Sequence, residues 1–177
     1  IQVPDSYDSL TGLCEELFEN HDERPTNSFL YSLVMDTYSF GYSSSGFTDM
    51  PMNHKVFLAQ FDAIKKLASE GPCVMVGRCA DYALSEYKDC FSVFVHADTD
   101  WRINRLSQKH NKTAKEAKDM INKTDKSRSS YYNYYTNKKW GAASSYNLCV
   151  DSSKLGIDGA AKAIIQAIEI FDSIKNK

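Results

Sequence analysis

Long apolar runs are missing from these 177 residues. None approaches the roughly 18 consecutive apolar positions that a membrane-crossing helix needs, so no membrane is expected as a partner. The five cysteines form no C-x-x-C pair and no His stands at zinc-finger spacing, which sets aside zinc modules and points to a reducing compartment. The opening residues, Ile1-Gln-Val-Pro-Asp5, carry neither the basic nor the apolar stretch of an export signal, so a cytoplasmic location is expected. A net charge of −2 supplies no broad basic field, which argues against nucleic acid as the partner. The phosphate-loop pattern G-x-x-x-x-G-K-[ST] does not occur: Gly41 and Gly46 have its glycine spacing, but no Lys-Ser or Lys-Thr follows. Internal repeats and low-complexity segments are absent too.

Arginine is scarce. Of 21 basic residues only five are Arg, namely Arg24, Arg78, Arg102, Arg105 and Arg128, and four of these fall between positions 78 and 128. Where Lys supplies the bulk charge, an Arg is favoured at sites that need its planar fork of donors.

What remains is the composition of a globular protein, 42% apolar and 25% charged, of a length that suits one domain over 1–177. Apolar residues at helical spacing predict helices over 9–23, 28–40 and 53–70, the last stopped by Gly71-Pro72. Cys73-Val-Met-Val76 reads as a strand buried on both faces, ending at Gly77-Arg78 and followed by a short helix over 80–85. Residues 91–95 and 148–150 read as two further buried strands. Between them, a helix from about 99 carries Trp101, Ile103 and Leu106 on one face, with Arg102 and Arg105 three apart on another. Thr113-Ala-Lys-Glu116 is a capping box that opens a helix reaching toward Tyr135. A last regular helix covers 157–174. Apolar strands alternating with helices predict an α/β fold with a parallel sheet.

In such a sheet, ligands bind beyond the carboxyl ends of the strands. Arg78, delivered there by a strand, suits a phosphate or carboxylate. Cys79 beside it has two readings: a small packed hydrophobe, the default, or a thiol activated by the neighbouring charge. Bland readings stand beside the others as well. Arg102 and Arg105 could be a solvated helix face, and Asp125 with Arg128 an ordinary i,i+3 pair. The Tyr131–Tyr135 run could stack bases or simply pack the end of its helix.

Five strings, taken in order, resemble the cytidylate kinase-like family of nucleoside monophosphate kinases. They are Cys73-Val-Met-Val-Gly-Arg-Cys-Ala-Asp-Tyr-Ala-Leu84, Asp100-Trp-Arg-Ile-Asn-Arg105, Asp125-Lys-Ser-Arg-Ser-Ser-Tyr-Tyr132, Lys138-Lys-Trp-Gly141 and Tyr146-Asn-Leu-Cys-Val-Asp-Ser-Ser-Lys-Leu-Gly-Ile157. The resemblance covers about residues 28–168. It implies a three-layer P-loop kinase fold with helical acceptor-binding (about 9–70) and lid (about 113–141) regions. It also implies transfer of the γ-phosphoryl of ATP to CMP or dCMP with Mg²⁺. Carried over, Arg78 would hold the acceptor nucleotide with Asp81 in support. Arg102 and Arg105 would contact ATP, Arg128 and Lys126 would close over the phosphates with Asp125 orienting the arginine, and Asp151 would lie near the adenine. No protein metal ligand is identified. The family's glycine-rich loop would precede Ile1, and a segment ahead of that residue is the expectation. A non-catalytic nucleotide-binding module, or a kinase for another small acceptor, is the alternative.

Overall fold

A computed structural model describes the backbone of residues 52–175, with side chains from Val56 onward and that of His54. The helices expected over 9–23 and 28–40, and the loop over 41–46, lie outside the described residues. The chain divides into two compact units, Ile1–Lys88 and Asp89–Lys177.

In the first unit, helix α1 (Met52–Glu70) buries Phe57, Gln60, Ala63 and Ile64. These positions recur every three or four residues, which places them on one stripe. Phe61 on α1 meets Tyr82 of the short helix α2 (Ala80–Ala83) with ring centroids 6.1 Å apart. Residues 73–76, expected as a doubly buried strand, carry no regular secondary structure: no ladder joins them to another described segment. Val76 is 43% exposed. Apolar content alone does not make a strand, because the backbone must also find a hydrogen-bonding neighbour.

The second unit holds a two-stranded parallel sheet, β1 (Val93–His96) beside β2 (Leu148–Asp151), in the register Val93↔Leu148 to His96↔Asp151. Parallel strands need a long crossover. Here it consists of helix α3 (Thr99–His110), helix α4 (Ala114–Thr136) and a 3₁₀ turn, Ala143–Ser145. Asn111 ends α3 in the left-handed conformation, and the loop to α4 is only three residues long. A connection that short makes the two helices neighbours, and Ala117 and Ile121 of α4 are buried. The capping box forms as read: Glu116 N–H donates to Thr113 Oγ1, and Thr113 N–H donates to Glu116 Oε2 at 2.8 Å.

Helix α5 (Ser152–Lys175) follows β2 without a linker and is interrupted at Gly156, whose φ of 68° lies outside the helical range. That break separates a first turn from the regular helix expected from Ile157. Ala160 and Ala161 face the interior, while Phe171 packs on Phe91 at 5.0 Å. No described helix is long and apolar enough to cross a membrane.

Candidate functional site

Arg78 sits on a run of three left-handed residues, with φ of 67° at Gly77, 56° at Arg78 and 55° at Cys79. Two consecutive non-glycine residues in this region cost on the order of 1–3 kcal/mol each, and such strain concentrates where a side chain must be aimed. Ala80 N–H donates to Gly77 O at 3.1 Å and Ala83 N–H to Cys79 O at 2.9 Å, so the turn feeds directly into α2. Cys79 is the anchor of this turn, only 3% exposed. Burial pushes its thiol up to about 12, the Asp81 carboxylate adds to the effect, and Arg78 opposes it more weakly. Burial and the raised thiol therefore support the packing reading of Cys79 over the activated one. Arg78 and Asp81 are both half-buried within the first unit.

In the second unit the sharpest polar contact joins α3 to α4. Arg102 Nη1 donates to Asp125 Oδ2 at 2.7 Å and Nη2 to Oδ1 at 2.8 Å, a two-pronged fork between residues 23 apart. Both side chains are about one-third exposed or less, at 30% and 27%. Charge-assisted pairs of this shape combine strength with fixed orientation. The resemblance implies that Asp125 orients Arg128; the contact described for the carboxylate is the fork to Arg102 on the neighbouring helix. Arg105, one turn beyond Arg102, lies over the ring of Trp101 with its Cζ 5.6 Å from the centroid. Arg128 is half-buried and Lys126 exposed on the second half of α4.

At the carboxyl ends of the two strands, serines stitch the backbone together. Ser152 Oγ donates to His96 O at 3.0 Å, and Ser153 Oγ accepts from Asp98 N–H at 3.2 Å. Asp151 accepts from both the N–H of Ser153, at 2.9 Å, and its hydroxyl. The Ser153 hydroxyl is the main reason the Asp151 carboxyl titrates below its usual range. Lys154 meets Asp98 at 2.8 Å, which pushes the ammonium upward. Ser152 and Ser153 stand in one of the five strings beside Asp151, but the string does not reveal their part in tying the strand ends together.

Among the described residues, no three His, Cys, Asp or Glu gather where they could hold a metal ion. The chemistry on offer is the binding of anions: two arginines on one face of α3, each already held by a partner, and further cationic side chains on α4.

The family model of the cytidylate kinase-like family matches residues 3–154. A crystal structure of an uncharacterized protein from Eubacterium ventriosum is similar, at 28% identity and a TM-score of 0.63, over 92% of this chain and 81% of that one. No curated protein matches. With the family's pattern running through most of its length, the chain belongs to the cytidylate kinase-like family.

Proposed function

We propose that this protein is an ATP-dependent phosphotransferase that moves the γ-phosphoryl group to CMP or dCMP. The observation that carries the reading is the family match over residues 3–154, which contains every candidate residue from Arg78 to Asp151. The fold it implies is the three-layer P-loop kinase arrangement, to which the parallel pair β1–β2 and its helical crossover would contribute.

Phosphoryl transfer requires alignment of donor and acceptor, and positive charge around the equatorial oxygens. No nucleophilic Ser or His is needed. In this reading Arg78 holds the acceptor's phosphate or base edge from its strained turn, supported by Asp81. Arg102 and Arg105 bind the triphosphate side, and Asp151 lies beside the adenine. Arg128, Lys126 and Arg105 neutralise charge as it develops. Movement of the lid region, about 113–141, excludes water that would otherwise hydrolyse ATP. Mg²⁺ would be carried by the nucleotide, because such ions keep several waters and lean mainly on phosphate oxygens. The described residues build no cage of their own for it.

Calorimetric titration of CMP and ATP into the natural protein and its Arg78→Ala variant tests the assignment. We expect Arg78→Ala to weaken CMP binding by roughly tenfold or more, as the loss of a charge-assisted hydrogen bond does, and to leave ATP binding nearly unchanged. Superimposable CMP titrations would remove Arg78 from the acceptor site. Turnover of a different acceptor in a panel with labelled ATP would keep the kinase class and replace the substrate.

A further inference from the structure

We infer that Asp125 is a positioning residue, which aims Arg102 at an anionic phosphate by holding one edge of its guanidinium and leaving another exposed. This rests on the nucleotide-binding reading of the α3–α4 region and goes beyond it.

A guanidinium carries five N–H donors along distinct edges of one plane. The end edge is formed by one hydrogen from each Nη. Asp125 takes that edge, meeting Nη1 and Nη2 with separate oxygens at 2.7 and 2.8 Å. Nε–H and an outer Nη–H form a side edge, and no other described acceptor meets the Arg102 guanidinium. The side chain is 30% exposed, so part of it is open to solvent and to a ligand. A phosphate presents oxygens at a spacing that suits such an edge.

The contact also fixes where the edge lies. Asp125 and Arg102 belong to two helices, α3 and α4, rather than to loops, and groups supported by rigid elements hold their aim best. Arg102 would otherwise have four side-chain torsions to restrict when a ligand arrives, at an entropic cost that the fork has already met. Arg105 is restrained in a different way, with its Cζ over the Trp101 ring at 5.6 Å from the centroid. Two pre-aimed arginines one turn apart suit a ligand with adjacent phosphates.

Two physical effects predict opposite outcomes when Asp125 loses its charge. By simple Coulomb attraction, removing a carboxylate from a polyanion site tightens binding. By positioning, Asp125→Asn weakens it, because an amide offers one acceptor and turns an N–H toward the second Nη. Calorimetric titration with inorganic tripolyphosphate reads the direction without requiring turnover. We expect Asp125→Asn to raise the Kd by roughly tenfold, one well-aimed charge-assisted hydrogen bond, and Asp125→Glu, which keeps both acceptors, to recover part of the loss. Equal or tighter binding by Asp125→Asn overturns the proposal, as does an unaltered protein that does not bind tripolyphosphate.

If Asp125→Asn does not fold, arginine side-chain NMR of the unaltered protein decides. The Arg102 Nε–H resonance should move as tripolyphosphate is added, while rotation of its Nη groups stays slow because Asp125 still grips them. Release of that rotation would mean that the anion displaces Asp125, which contradicts the assignment. Tripolyphosphate binding that follows the expected pattern without transfer to any acceptor would uphold the role of Asp125 and overturn the kinase reading instead.

Discussion

Cys79 shows how one side chain serves its neighbour. Its thiol is enclosed, and that enclosure secures the backbone turn on which Arg78 rides. The thiol's pKa rises from 9.0 to about 12, because burial penalises the thiolate. Between those values the unfolded chain has lost the proton that the folded chain keeps, so stability falls as pH rises through this window. Comparing urea unfolding of the natural protein with that of Cys79→Ala between pH 8 and 12 isolates this contribution. The advantage of the natural protein should shrink steadily above pH 9, and a constant difference would contradict the assigned burial. The carboxyls of Glu116 and Asp151 behave in the opposite sense. Each is held low, first by a hydroxyl hydrogen bond from Thr113 or Ser153 respectively, so its contribution is present above the ordinary carboxylate range and is lost as pH falls through the folded value.

Among the elements, the carboxyl end of α4 is tied by several contacts. Asn137 closes the helix in the left-handed conformation, and Trp140 N–H donates to Asn133 Oδ1 at 2.7 Å. Trp140 then meets Phe94 of β1 edge-on at 5.3 Å, and Tyr146 lies against the same ring at 5.0 Å. Gly141 fits only because it has no side chain: its φ is +75°, and a Cβ there would stand 3.2 Å from Phe94 Cζ. Gly141→Ala should cost on the order of 1–3 kcal/mol from backbone strain alone, read as a lower melting temperature. An unchanged melting curve would show that Phe94 and the turn adjust freely. At the other end of α4, Thr113→Ala should cost about 1 kcal/mol by removing the cap, and denaturant midpoints would register it. That cap was legible because its four residues act locally. The lack of a ladder at residues 73–76 among the described residues was not, since a strand depends on a partner that periodicity does not reveal. The fork between Arg102 and Asp125 was hidden for a related reason: each residue stood out singly, but which arginine Asp125 meets is decided by how two helices lie side by side.

For the molecule as a whole, family membership was more readable than geometry. Order and spacing of five strings survive in a linear text, and they identified the cytidylate kinase-like pattern that the family match then showed over residues 3–154. The sheet was only partly readable: β1 and β2 fall within a residue or two of expectation, with their parallel pairing, while the described residues contain no third strand. A chain with net charge −2 has no general attraction for polyanions. On the proposed function, affinity for nucleotides would therefore come from a few aimed arginines rather than from a field.

The most direct measurement is product analysis after the natural protein is mixed with Mg·ATP and CMP. CDP and ADP should accumulate in equal amounts, and dCMP should be accepted in place of CMP. Saturable binding of both nucleotides with no CDP or dCDP formed would contradict the phosphotransferase account and leave a nucleotide-binding module in its place.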